Sequence, residues 1–69
     1  MKKELKVKEI FFITGRGKVH VVDTTKIDFE LILGDIVIYD GEERIITGLE
    51  KDWTKEVGVI LKKKEKQND

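Results

Sequence analysis

The sequence predicts an all-β domain, a small closed or nearly closed β-barrel of about six short antiparallel strands. Three observations predict it. Apolar residues recur at every second position in short runs, as in Leu5 and Val7 or Val19 and Val21. Turn signals, namely Gly-Arg-Gly at 15–17, Gly34 and Asp40-Gly41, separate those runs at short spacing. Proline is absent, and no stretch of the 69 residues carries a convincing helical period.

The first strand runs through "LKVKEIFFIT", residues 5–14. It alternates at first, with Lys6 and Lys8 facing away from Leu5 and Val7. From residue 10 to 13 both faces are apolar, as where a strand enters a closed core or passes a bulge. Gly15 and Gly17 stop it. "KVHVVD", residues 18–23, follows, and its β-branched residues suit a pleated, half-buried surface. Residues 24–33 admit two readings. Ile27, Phe29, Leu31 and Leu33 have strand spacing and favour a short strand ending at Gly34. A short helix capped by Thr24 or Thr25 is the alternative. "DIVIY" (35–39) is the next strand, and Asp40-Gly41 suits a tight hairpin with positive φ. "ERIITGLE" (43–50) returns, "KDWTK" connects, and "EVGVILKK" (56–63) closes the set. Residues 1–62 therefore read as one β-barrel domain. Residues 63–69, "KKEKQND", lack apolar anchors and read as a frayed charged tail.

A chain this short buries only ~60% of its extended-chain surface, so it depends on one compact apolar core. It has no cysteine, hence no disulfide and no thiolate metal site to help. The basic start "MKKELKVKEI" is not followed by the apolar run of a signal peptide, and "IFFI" and "VHVV" are far too short to span a membrane. The expectation is a cytoplasmic protein with no membrane partner. Basic and acidic residues balance at 14 each, but not locally. Residues 1–20 carry a net +4, residues 21–43 a net −6 and residues 44–69 a net +2. If the first and last strands are neighbours, Lys2, Lys3, Lys6, Lys8 and Lys62, Lys63, Lys64, Lys66 share one patch. A solvated surface is the plainer reading of these charges, and a nucleic-acid footprint the sharper one.

Gly15-Arg16-Gly17-Lys18 has the backbone freedom and charge to cradle a phosphate. A P-loop needs a longer glycine loop and a following helix, and here a strand follows. The bend therefore reads first as a turn, and no nucleotide is expected. His20 is the only histidine and alternates with Val19 and Val21, so it faces away from them as a surface or half-buried residue. No nucleophile–base set or metal-ligand cluster is present, so neither an enzyme nor a cofactor is expected. Trp53, flanked by Lys51, Asp52 and Lys55, suits either a plug for one end of the core or a platform on which a base stacks. Phe12 either extends the core or forms an exposed apolar contact.

Four segments, in order, resemble the second domain of translational GTPases of the elongation factor Tu type. "EIFFITGRGKVHV", from Glu9 to Val21, is similar to that family's acidic residue followed by V-F-x-I-x-G-R-G-T-V-V. "LGDIVIY" is similar to its apolar-Gly-acidic strand, "ITGLE" (46–50) to V-T-G-V-E, and "EVGVILK" (56–62) to N-V-G-apolar-L-L-R. The resemblance implies a closed β-barrel that contacts RNA, either the tRNA end or ribosomal RNA. It implies Arg16, at a surface turn, as the first candidate contact, with Lys18 beside it. Glu50 matches the glutamate near the tRNA terminal adenosine, and Lys62 stands at the arginine closing the last motif. The departures are several. The GTPase motif G-x-x-x-x-G-K-[ST] does not occur in these 69 residues. Lys18 replaces the usual Thr, and the stretch from Gly17 to Gly34 is about two residues longer than the family pattern. The segment shaping the tRNA pocket shrinks to "KDWTK", and the strand after the last motif is replaced by a charged tail. With that loop shortened, Glu50 also reads as an exposed strand-end glutamate.

Two function classes follow. One is a non-enzymatic module that binds RNA or the ribosome, using Arg16, Lys18, Glu50, Trp53 and Lys62. The other is a protein-interaction or self-assembly module that has lost the tRNA pocket and pairs through an exposed strand edge.

Overall fold

A computed structural model describes residues 3–51 and 55–64. It is all-β, with five antiparallel strands in one sheet. Strand β1 (Val7–Ile13) turns through residues 14–16 into β2 (Gly17–Asp23). The Arg16 N–H donates to the Ile13 carbonyl at 2.9 Å. Gly15 and Gly17 sit at φ +84° and +90°, where a side chain would be strained. Pairing runs Ile13 to Gly17, Phe11 to Val19 and Glu9 to Val21. It then slips, because Val7 is opposite Val22, so Lys8 is the extra residue of a β-bulge.

The segment after β2 departs from both sequence readings. Only Thr24–Lys26 is helical, as one 3-10 turn, and Asp23 rather than a threonine caps it. The Asp23 carboxylate accepts from the Thr25 N–H at 2.9 Å and from its hydroxyl at 2.6 Å. Residues 27–33 form no strand. Ile27, Phe29 and Leu31 pack half-buried against the core, while Ile32 and Leu33 are exposed. The alternation is real, but it records a chain lying with one side on the core. It does not record backbone pairing: β2 already has β1 and β5 on its two sides, and residues 27–33 join no ladder.

Strand β3 (Ile36–Tyr39) and β4 (Glu42–Lys51) form the expected hairpin. Asp40 and Gly41 both have positive φ, +55° and +75°, as a two-residue turn of matching twist requires. A second bulge falls between Ile46 and Gly48. Its extra residue, Thr47, donates its hydroxyl to the Ile60 carbonyl at 3.2 Å. Strand β5 (Glu56–Lys63) then inserts between β2 and β4, giving the order β1-β2-β5-β4-β3.

Among the described residues five strands form where about six are expected, and the ladder ends at two edges, β1 and β3, so hydrogen bonds do not close it. The segment ahead of β1 touches the far edge at one parallel bridge. There the Leu5 N–H donates to the Ile38 carbonyl at 2.7 Å, and the Ile38 N–H to the Lys3 carbonyl at 2.8 Å. The first and last strands are also not neighbours, because β2 lies between them. Lys8 meets Glu56 at the start of β5, whereas Lys62 and Lys63 lie at its end, so these three do not gather into one patch; Lys2 and Lys66 lie outside the described residues.

The core draws one residue from each of five segments: Leu5, Val22, Val37, Ile46 and Val59. Full burial of such a side chain stabilises by about 1.5–3 kcal/mol. Among the described residues no helix is long and apolar enough to cross a membrane.

Candidate functional site

Cross-strand partners share a face. The register therefore places His20, Val22, Val59, Ile46 and Val37 on the core face, together with Ile10 and Phe12. Phe11, Ile13, Val19, Val21, Gly58, Ile60 and Gly48 share the outer face. Strand β2 is buried on both faces, with Val19 and Val21 as inaccessible as His20 and Val22. Two glycines explain part of this. A β-carbon on Gly58 would lie 2.7 Å from Val19 Cγ1, and one on Gly48 would lie 2.9 Å from Ile60 Cδ1. Val19 and Ile60 thus lie across neighbouring strands in space that only glycine leaves.

Strand β1 is the opposite case. Every residue after Val7 is exposed, although the sequence places an apolar run there. Ile10 is 38% exposed, Phe11 47%, Phe12 80% and Ile13 42%. The run does pass a bulge, at Lys8, but it enters no closed core. Among the described residues β1 is an edge strand, so its outward backbone N–H and C=O groups have no ladder partner. These four apolar side chains lie along an unpaired strand edge; Ile32, Leu33 and Ile36 are the other large apolar residues exposed among the described residues.

The basic residues singled out by the sequence are dispersed. Arg16 forms an ion pair with Glu50, tying the β1–β2 turn to β4 across β5. Two candidate contacts are therefore brought together, but as partners of each other. Lys18 lies opposite Phe12 on the core face, and Lys62 lies opposite Ile45 on the outer face. Trp53 lies outside the described residues. Other lysines are also paired with acids: Lys3 with Asp35 at 2.8 Å, Lys8 with Glu56, Lys63 with Glu42 at 3.3 Å and Lys64 with Glu43 at 3.4 Å. The hydrogen bond that the Lys8 ammonium donates to Glu56 raises the Lys8 pKa above its ordinary value. Exposed pairs of this kind contribute ~0–1 kcal/mol each, but they do neutralise the surface. Lys6, Lys18, Lys26 and Lys62 have no ion pair among the described residues. Lys6, Lys8 and Lys26 line an open cleft of about 330 Å³ with Val7 and Asp23.

One polar cluster is internal. His20 is only 2% exposed, so it is buried rather than on the surface. It does face away from Val19 and Val21, as the alternation requires. Its Nδ1 lies 3.1 Å from the Val59 carbonyl, which can only accept, so the neutral ring carries its proton there. Its Nε2 is buried with no partner among the described residues. The ring packs edge-on to Tyr39, centroids 5.1 Å apart, and the Arg44 guanidinium lies 5.3 Å from the Tyr39 ring centre. Burial lowers the His20 pKa, and Lys18 and Arg44 push it the same way, against the Val59 carbonyl. Nothing in the order of residues 18–23 signals this burial, because a strand covered on both faces shows no polar side. No group of three or more metal-ligating side chains occurs among the described residues.

No protein-family model, curated protein or solved structure matches the chain.

Proposed function

We propose that the chain is a non-enzymatic binding module that docks an extended polypeptide along the free edge of β1. The observation that carries this reading is the exposure of Ile10, Phe11, Phe12 and Ile13 on a strand with one unpaired side. Main-chain hydrogen bonds from an added strand would satisfy the edge. Alternate apolar side chains would cover Phe11 and Ile13 on one face and Ile10 and Phe12 on the other.

A second reading is RNA contact by a barrel-like translation-factor domain. The resemblance of residues 9–21, 46–50 and 56–62 supports it, as do the bridge from Glu4, ahead of β1, to Ile38 of β3 and the lysines without an ion pair among the described residues, Lys6, Lys18, Lys26 and Lys62. Zero net charge and the Arg16–Glu50 pair weigh against it.

Backbone amide NMR separates the two. Peptides with apolar residues at alternate positions are expected to shift the amides of residues 9–13, and Phe12→Lys is expected to abolish the effect. Shifts around Lys6, Lys18 and Lys26 on adding single-stranded RNA, weakening steeply with salt and with no peptide response, would overturn the first reading in favour of the second.

A further inference from the structure

We infer that the strand docking on β1 is β1 of a second copy, paired antiparallel about a two-fold axis at Phe11. This rests on the edge-docking reading above and names its partner. The unbulged part of β1 is residues 9–13, since the register slips at Lys8 and the turn begins at Thr14. Antiparallel pairing centred on Phe11 maps that segment onto itself. Phe11 faces its own copy, Ile10 faces Phe12, and Glu9 faces Ile13. The three most central positions are then apolar on both sides. Centring on Phe12 would set Lys8 opposite Arg16 of the other copy, and like charges directly opposite are destabilising. Centring on Ile10 would set Lys8 and Glu9 against Phe12 and Phe11. With Phe11 at the centre, Lys8 faces Thr14. Lys6 and Arg16, the next basic pair, lie outside the strand, and Arg16 is already held by Glu50.

The other edge also favours this arrangement. Strand β3 is four residues long, and the chain's own Lys3 and Leu5 already bond to Ile38 there. Head-to-tail pairing of β1 with β3 of a neighbour, which would grow without closing, is therefore obstructed, whereas a two-fold contact closes on itself. Zero net charge removes long-range repulsion between copies. The exposed apolar area of residues 10–13 is roughly 400 Å² per copy, taking large side chains at 150–250 Å² each. A standard stable interface buries about 800 Å² per partner, so the dimer is a weak, concentration-dependent one.

Cross-linking in the otherwise cysteine-free chain tests this. Opposed residues of antiparallel strands have α-carbons about 4.5–5.5 Å apart, within disulfide range. Phe11→Cys is expected to form a covalent dimer on mild oxidation. Ile10→Cys and Phe12→Cys are each expected to stay monomeric alone and to cross-link when mixed. Sedimentation of the unmodified chain is expected to shift from monomer to dimer with concentration, and Phe12→Lys to remove the shift. Phe12 is 80% exposed, so that change leaves the fold in place. A chain monomeric at millimolar concentration, or Phe11→Cys cross-linking no faster than Lys26→Cys, would overturn the self-pairing. Alternating peptides that still shift the β1 amides would then leave the docking reading standing, and their failure as well would remove both.

Discussion

Gly58→Ala tests how β2, β5 and β4 fit together. The added β-carbon would lie 2.7 Å from Val19 Cγ1 and 3.4 Å from Glu50 Cβ. Carbon atoms prefer about 3.5–4.0 Å, so Val19 must retreat by about 1 Å. It is 3% exposed and β-branched, with little rotamer freedom. Overpacking of this kind costs about 1–3 kcal/mol. Alanine in a strand recovers about 0.5–1 kcal/mol over glycine. Taking the middle of each range, the net expectation is a loss of about 1 kcal/mol, a large share of the ~3–5 kcal/mol one small core supplies. In urea, with a slope near 1 kcal/mol per molar, the midpoint falls by about 1 M. Val19→Ala alone loses about 2 kcal/mol of burial. In the double variant the clash is gone while the alanine gain remains, so the two losses should sum to more than the measured one by the clash itself, about 1–3 kcal/mol. An unchanged or raised midpoint for Gly58→Ala, or strictly additive losses, would refute the packing of Val19 over Gly58. Gly48→Ala is the internal comparison. Its nearest contact, at 2.9 Å, is the terminal methyl of a half-buried Ile60, which can swing aside, while Ile60 Cβ at 3.2 Å must give by only a few tenths of an ångström, so its loss should be smaller but not zero.

Other expectations follow from the turn, the histidine and the cap. Gly41→Ala should lower stability by about 1 kcal/mol, since φ +75° penalises a side chain, and the urea midpoint measures it. The His20 pKa is lowered by burial, so the unfolded chain binds that proton more readily than the folded one. Its contribution to stability is therefore complete above the ordinary histidine value of about 6.5 and is lost as pH falls toward the folded value. Urea midpoints between pH 7.5 and 5 should decline, and His20→Gln should flatten that decline; a flat native profile would contradict the burial. The Thr25 hydroxyl and amide hold the Asp23 carboxyl below its usual pKa, so Asp23→Asn should reduce the acid-side stability that this carboxylate supplies above pH 4. Matched acid titrations of the two chains measure it.

How much the order of residues reveals depends on whether a signal is local. Asp40-Gly41 specified its own turn, because two positive φ angles select those residues wherever the hairpin lies. The alternation of β2 and the apolar runs of β4 and β5 were equally local. The strand order was not, since β5 inserts between β2 and β4 through contacts remote in sequence. Residues 27–33 misled because burial on one side produces a period of two with or without a ladder. At residues 10–13 an apolar run on both faces signified burial by default, and only the edge position of β1 shows it exposed. Arg16 and Glu50 were legible as charged surface residues, but their mutual pairing depends on the curvature that brings the first turn to β4. His20 gave no warning, because its place inside depends on Tyr39 and Arg44 from the opposite hairpin.

Amide hydrogen exchange at low micromolar concentration tests the free edge of β1 most directly. An edge strand in an antiparallel sheet leaves alternate amides unbonded. Within residues 9–13 every second amide should exchange rapidly, while Ile46 and Val59 in the core strands exchange only on global opening. Slow exchange at every position from 9 to 13 in that dilute chain would mean another segment of the same molecule covers the edge, leaving no place for a partner strand.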